Sequence, residues 1–96
     1  MSSDSKAKGP IIKPCLHLVL GHRSYDETVA GTKRIEYREM KHHWMKLIYN
    51  RRSILTHVKF VRGYSSTITT YEITKINIGP CPIEGWDGDY IRIHFN

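Results

Sequence analysis

The stretch GTKRIEYR, residues 31–38, places four charged side chains shortly after a glycine. Gly31 follows a segment with helical spacing, and glycine is favoured just beyond a helix because it adopts left-handed conformations without a Cβ penalty. The residues after it alternate with the period of a strand, so Glu36 and Arg38 share one side. The stretch therefore predicts a helix end followed by a charged strand, in which Glu36 and Arg38 can pair along one face.

The segment before this stretch predicts a strand and a short helix. CLHLVL (15–20) is apolar enough to predict a strand that is buried on both faces. Ser24 and Glu27 have the spacing of a capping box, which predicts that the helix starts at Ser24. Tyr25 and Val29 lie four residues apart and should give this helix one apolar edge.

The rest of the chain predicts one more helix and three more strands. Apolar residues in 40–50 have helical spacing, whereas Thr, Ile and Tyr dominate the later segments. We expect strands at 57–62, 66–78 and 90–95, with a Gly- and Pro-rich loop at 79–88. This order predicts an α+β fold, a curled or barrel-like mixed sheet with two flanking short α-helices. The polar residues 1–12 are expected to be a disordered tail, which leaves one domain over 13–96.

Charge is distributed unevenly along the chain. Residues 13–62 carry eleven Lys and Arg against four Asp and Glu, a net charge of +7, whereas residues 63–96 have a net charge of −2. A basic half beside a weakly acidic half suggests a surface that meets a polyanion such as RNA. An acidic protein would suit the same surface, so a protein partner remains an alternative.

Several classes of protein are not favoured by the sequence. The N-terminus has no apolar leader and no segment is long enough to span a membrane, so we expect a cytoplasmic protein with no membrane partner. Cys15 and Cys81 are then expected to be reduced, buried thiols. His42 and His43 are adjacent, which is not the i, i+4 spacing of a chelating pair. We expect no metal site and no cofactor.

Glu72 is a candidate site residue because of its place in the strand 66–78. Strict alternation puts it on the same face as Ile68 and Ile76. If that face is the interior, a carboxylate lies at the mouth of a barrel, where it must be paired or protonated. Its obvious partners are the cations of 31–38. Either a structural salt bridge or a polar pocket would explain this arrangement.

Aromatic and hydroxyl side chains interleave with the cations. Tyr37, Tyr64 and Trp86 fall at predicted turns or strand ends, where a nucleobase could stack on them. Trp86 could equally close the end of the barrel, and Trp44 has the spacing of a core residue. The turn at 63–67 suits a phosphate group or simple turn chemistry, through the hydroxyls of Ser65 and Ser66.

The stretch GTKRIEYR resembles the signature of the ASCH domain family, which belongs to the PUA-like superfamily. The family motif is Gly-x-Lys-x-x-Glu-x-Arg, and its positions are matched by Gly31, Lys33, Glu36 and Arg38. The turn RGYSST and the strand YEITKINIG also look like the later part of small ASCH proteins, so the resemblance covers about residues 15–95. It implies a PUA-like small β-barrel, with a cleft between the first helix, the motif strand and the barrel.

The resemblance implies an RNA- or nucleotide-binding module. In such a cleft, Lys33, Arg34 and Arg38 would neutralise phosphate or grip a base edge. Tyr64 or Trp86 would stack on a base. Base amino groups would donate to the carboxylates of Glu36 and Glu72.

The alternative that the resemblance implies is a hydrolase. Some small ASCH proteins deacetylate 4-acetylcytidine with a Lys, a Thr and a Glu, and the Lys and Glu are matched here by Lys33 and Glu72. Glu36 stands where those enzymes have the Thr. Another member is described as a ribonuclease that uses lysine, tyrosine and serine. Suitable groups, which match no motif, are offered by Lys33, Tyr37, Tyr64, Ser65 and Ser66.

Overall fold

A five-stranded sheet with two short helices forms residues 15–96, the part of the chain that the computed structural model describes. The predicted tail at 1–12, like the first two residues of the predicted domain, lies outside these residues. The elements follow in the order β1 (Cys15–Leu20), α1 (His22–Ala30), β2 (Ile35–Arg38), α2 (His42–Leu47), a 3₁₀ turn (Tyr49–Arg51), β3 (His57–Arg62), β4 (Ile68–Pro80) and β5 (Asp89–Phe95).

The strands are arranged in the order β1-β3-β4-β5-β2 and curl into a half-barrel. β1 and β3 run parallel, while the other three neighbouring pairs are antiparallel. The expected α+β class, with a mixed sheet and two short helices, is confirmed. The two strands at the ends of the sheet, β1 and β2, are the ones joined in sequence by α1.

The core is built by alternate residues of the strands. Ile91, Ile93 and Phe95 are at most 3 % exposed, which confirms the predicted apolar face of the last strand. β1 was expected to be buried on both faces, and that expectation is wrong. Its outer face carries exposed His17 and Val19, because no element among residues 15–96 covers that face of the sheet.

A β-bulge at Thr74 divides β4 into two halves of opposite parity. Ile73 pairs with Phe95, but Lys75 pairs with the next residue along β5, so Thr74 is the extra residue. Before the bulge the odd-numbered residues face the core, and after it the even-numbered ones do, as buried Ile76 shows. Strict alternation along 66–78 therefore fails at its centre, and Glu72 faces solvent.

Helix α1 begins and packs differently from the prediction. It starts at His22, its N-cap is Gly21, and no side chain caps it, so the predicted capping box does not form. Its buried side is formed by Tyr25 and Thr28, whereas Val29 is exposed. The predicted end is confirmed: Gly31 has φ of 87°, and its N–H donates to backbone carbonyls of the last turn.

The second predicted helix is shorter than expected. It covers His42–Leu47, and the 3₁₀ turn then continues to Arg51. Ile48 is fully buried between them, and Met40 is 45 % exposed.

The two cysteines are free and half-buried, so the expectation of buried thiols is wrong. Within residues 15–96, no helix has the length and apolar character needed to cross a membrane. Over the same residues, the side chains of His, Cys, Asp and Glu form no cluster of three that could hold a metal ion.

Candidate functional site

The motif residues form one ion network around a buried carboxylate. The Glu36 side chain is 8 % exposed. One of its oxygens accepts from Lys33 Nζ, and the other accepts from Arg38 Nε at 2.9 Å and Nη2 at 2.8 Å. A buried charge is tolerated only when it is paired and hydrogen-bonded, and Glu36 has both. The predicted pairing of Glu36 with Arg38 along one face is confirmed.

The same network ties β2 to the opposite end of the sheet. Lys33 Nζ also donates to Ser24 Oγ on α1. Arg38 Nη2 donates to the backbone carbonyl of Val19 on β1 at 3.2 Å. Because β1 and β2 are the two end strands, side chains of the motif bridge the gap that no strand pairing closes.

A cleft of about 930 Å³ lies between the start of α1 and the motif. One side is formed by residues 21–24 and Glu27, and another by residues 32–37, and Ile83 and Trp86 complete the lining. We call this space the larger cleft. Two guanidinium groups, of Arg23 and Arg34, and the Lys33 amine line it.

Arg34 is the cation of the larger cleft that is most available to a ligand. Its side chain is exposed, and it makes no hydrogen bond or ion pair with any of residues 15–96. Arg23 is also exposed but pairs with Glu27 at 3.3 Å, and Lys33 is engaged by Glu36.

A second space of about 460 Å³ adjoins the first, and we call it the smaller cleft. Four aromatic side chains line it, together with Glu36, Arg38, Glu39 and Gly85; the aromatics are Tyr37, Trp44, Trp86 and Tyr90. The Arg38 guanidinium lies 4.8 Å from the centre of the Trp44 ring, and the rings of Trp86 and Tyr90 are 5.4 Å apart. Trp86 is 41 % exposed, so it lies at the surface as a wall of both clefts.

Tyr37 also lines both clefts, from the face of β2 opposite to Glu36. Burial raises the pKa of its hydroxyl, nearby Cys81 adds to the rise, and Arg92 opposes it. The raised pKa keeps the hydroxyl protonated at neutral pH, so it can both donate and accept a hydrogen bond.

A polar cluster covers the outer face of β4 and β5 beside Tyr37. Asn77 Oδ1 accepts from Arg92 Nε at 3.0 Å and lies 3.1 Å from His94 Nε2. Burial lowers the pKa of His94, and the charges of Lys75 and Arg92 lower it further. The folded protein therefore favours neutral His94.

Most of the predicted site residues meet at these clefts. Lys33, Arg34, Glu36, Tyr37 and Trp86 line the larger one, and Arg38 joins three of them in the smaller one.

Glu72 is the exception among the predicted carboxylates. It was expected to face the interior and to pair with the cations of 31–38, but the bulge turns it outward, where it is exposed opposite His57. Within residues 15–96, Lys33 pairs with Glu36 instead of Glu72.

The predicted residues of the β3–β4 hairpin lie outside both clefts. Ser65 Oγ donates to the Arg62 carbonyl and accepts from the Thr67 amide, which is turn chemistry. Tyr64 is fully exposed, and Ser66 is exposed beside it. A Cβ built at Gly63 would lie 2.7 Å from His22, a residue of the larger cleft, so the hairpin tip stands next to the cleft without lining it.

Sequence reasoning missed part of the lining. His22 and Arg23 were passed over because the capping-box pattern placed the helix start after them, although a positive charge just before Ser24 was a usable signal. Trp44 was assigned to the core; it packs against the core and also lines the smaller cleft. Nothing in the sequence pointed to Tyr90, because it reaches the Trp86 ring only once β5 has paired within the sheet.

Comparisons of the chain with models of protein families, with curated proteins and with solved structures found no match. The resemblance to ASCH domains therefore rests on the residues of 31–38 and on the order of the elements.

Proposed function

We propose that this protein is an ASCH-like module of the PUA-like type that binds single-stranded RNA or a nucleotide in the larger cleft. The observation that carries the proposal is the lining of that cleft by Arg23, Lys33 and Arg34, of which Arg34 is exposed and has no side-chain partner among residues 15–96. A cleft of about 930 Å³ falls within the size range of small-ligand sites, and it is large enough for a nucleotide.

The ion network suits this role because it fixes the walls of the cleft. Glu36 holds Lys33 and Arg38 in place, so little side-chain freedom is lost when a ligand arrives. Arg34 would contact phosphate, since its guanidinium group has no hydrogen-bond or ion-pair partner among residues 15–96. Trp86 would stack on a base through its exposed surface, as aromatic side chains do in single-strand binding.

The test is the salt dependence of RNA binding, measured by fluorescence anisotropy with a labelled single-stranded oligonucleotide. Each phosphate contact in single-stranded complexes contributes about −0.7 to the slope of log affinity against log salt. Arg34→Ala should weaken binding by about three- to tenfold and make the slope shallower by about 0.7, the contribution of one phosphate contact. Arg52→Ala is the matched control, because Arg52 is exposed, stacks on Tyr49 and lines neither cleft.

Two results would contradict the proposal. One is an affinity that stays constant between low and moderate salt. The other is an equal effect of Arg34→Ala and Arg52→Ala, because binding would then follow the overall charge of the protein and not the cleft.

A hydrolase is the second candidate, and one contact favours it. Lys33 Nζ lies between Ser24 Oγ and a carboxylate oxygen of Glu36 within the larger cleft. A lysine, a hydroxyl and a carboxylate can together catalyse acyl transfer, and Glu36 would then take the role expected of Glu72.

Incubation with 4-acetylcytidine, and separately with RNA, tests this candidate. Hydrolysis should release acetate or RNA fragments and should be abolished by Lys33→Ala and by Ser24→Ala, each checked by circular dichroism for folding. Turnover that survives Lys33→Ala, or no turnover with either substrate, would eliminate it. Glu72→Gln is the matched control and should leave any activity intact, because Glu72 is outside the cleft.

A further inference from the structure

From the aromatic lining of the smaller cleft we infer that it binds a nucleobase carrying a delocalised positive charge, of the 7-methylguanine type. The inference rests on the proposed nucleotide-binding function, since the phosphate of the same ligand would lie in the larger cleft. It goes beyond that function by naming the preferred base and the residues that distinguish this base from an uncharged one.

The first support is the density of aromatic surface. Four aromatic side chains surround about 460 Å³, and two of them are the only tryptophans of the chain. Among residues 15–96, the Trp86 ring contacts one other aromatic ring, that of Tyr90 at 5.4 Å, and 41 % of the Trp86 surface is exposed. Aromatic faces attract cations, with tryptophan the strongest, and they also stack on planar bases.

The second support is a planar cation that already occupies this cleft. The Arg38 guanidinium lies over the Trp44 ring at 4.8 Å. A guanidinium and a methylated purine cation are both flat and delocalise their charge, so the cleft already holds one such group on a tryptophan face. Trp86 offers a second face with no cation on it among residues 15–96.

The third support is the charge around Trp86. Glu39 lines the smaller cleft, and three more exposed carboxylates lie within three residues of Trp86 in the chain, those of Glu84, Asp87 and Asp89. The larger cleft has the opposite bias, because Arg23, Lys33 and Arg34 line it against the two carboxylates of Glu27 and Glu36. Because Tyr37 and Trp86 line both spaces, one ligand can place a phosphate on the basic side and a cationic base on the aromatic and acidic side.

The experiment is a fluorescence titration of the full chain with 7-methylguanosine monophosphate and with guanosine monophosphate. Trp44 lines the smaller cleft alone and Trp86 lines both clefts, so the quenching of Trp44 fluorescence reports on the smaller cleft. The methylated nucleotide should bind about tenfold more tightly, which is the size of a partly desolvated cation–π contact. Arg34→Ala should weaken both nucleotides by the same factor and leave their ratio unchanged.

Variants at Trp86 test where the discrimination arises. Trp86→Leu should bring the ratio of the two affinities close to one, while Trp86→Phe should keep most of the preference because an aromatic face remains. Trp86 is at the surface of a loop, and Trp44 still reports binding in both variants. Tetramethylammonium chloride, with sodium chloride as its control, serves as a cation without a base or a phosphate.

Three outcomes would overturn the inference. Equal affinity for the two nucleotides, with RNA binding intact, removes the preference and leaves the proposed function standing. Binding of neither nucleotide, together with no RNA binding, removes both. Quenching by tetramethylammonium as strong as that by the methylated nucleotide, and lost in Trp86→Leu, shows a general ammonium site instead of a nucleotide site.

Discussion

Replacing Glu36 by glutamine should destabilise the protein strongly although the side chain keeps its shape. The change leaves Lys33 and Arg38 without a counter-charge, and their side chains are only 20 % and 17 % exposed. Removing one partner of a buried pair costs about 3–5 kcal/mol. Since part of each cation reaches water and the amide oxygen of glutamine still accepts one hydrogen bond, we expect a loss of about 2–4 kcal/mol in unfolding free energy.

Urea and thermal unfolding measure this loss. In a domain of this size each kcal/mol lowers Tm by about 4–8 °C, so Glu36→Gln should lower it by roughly 10–25 °C. Glu39→Gln is the matched control, because Glu39 pairs with Lys41 at 3.2 Å and both side chains are more than 60 % exposed. An exposed pair contributes less than about 1 kcal/mol, so the control should change little.

The result that would refute this reasoning is an equal effect of the two changes, or a loss below about 0.5 kcal/mol for Glu36→Gln. Either would mean that the network adds nothing to stability beyond an exposed ion pair. The gap between β1 and β2 would then be maintained by packing alone.

Three further predictions follow from single residues. Burial lowers the pKa of His94 in the folded state, so the unfolded chain binds more protons than the folded protein as pH falls below 6.5. Stability should therefore decrease below that pH, and His94→Gln should remove part of the decrease when urea unfolding is compared at pH 7 and pH 5. Gly63→Ala should lower the unfolding free energy by about 1–3 kcal/mol, because φ is 57° and a Cβ would collide with His22. In urea unfolding, adding His22→Ala should restore the part of this loss caused by the collision but not the part caused by the backbone conformation. In an ultraviolet pH titration, Tyr37→Phe should remove the absorbance change of a tyrosine that ionises above the usual pKa of 10. If the variant instead lacks a tyrosine that ionises at or below pH 10, the pKa of Tyr37 is not raised.

The sequence predicts the elements that alternate cleanly and fails where one residue changes the register. β1 and β3 have the predicted bounds, and the last strand has the predicted apolar face, because these segments keep a period of two throughout. The strand 66–78 also alternates in sequence, but pairing with β5 inserts Thr74 as a bulge, and no local pattern shows a bulge that partner strands impose. Glu72 was assigned to the site from this alternation and from the resemblance to the Glu of the deacetylases.

The site was predictable to the extent that it is local in sequence. Glu36 and Arg38 lie two residues apart on one strand, so their pairing follows from alternation. The four aromatic side chains of the smaller cleft come from β2, α2, the 81–88 loop and β5, and only the tertiary fold brings them together. His22 and Arg23 were missed because the helix is capped by Gly21 through backbone geometry and not by a serine side chain.

The bulge at Thr74 also makes this point of β4 tolerant of a shorter chain. Deleting Thr74 would place Lys75 directly after Ile73, and the pairs Ile73–Phe95, Lys75–His94 and Ile76–Ile93 would then follow one another without a break. Both halves of the strand would keep their present faces, with Ile73 and Ile76 towards the core. A one-residue deletion elsewhere in a strand turns every later side chain to the other face, so deletion of Thr74, like substitution of its exposed side chain, should be well tolerated.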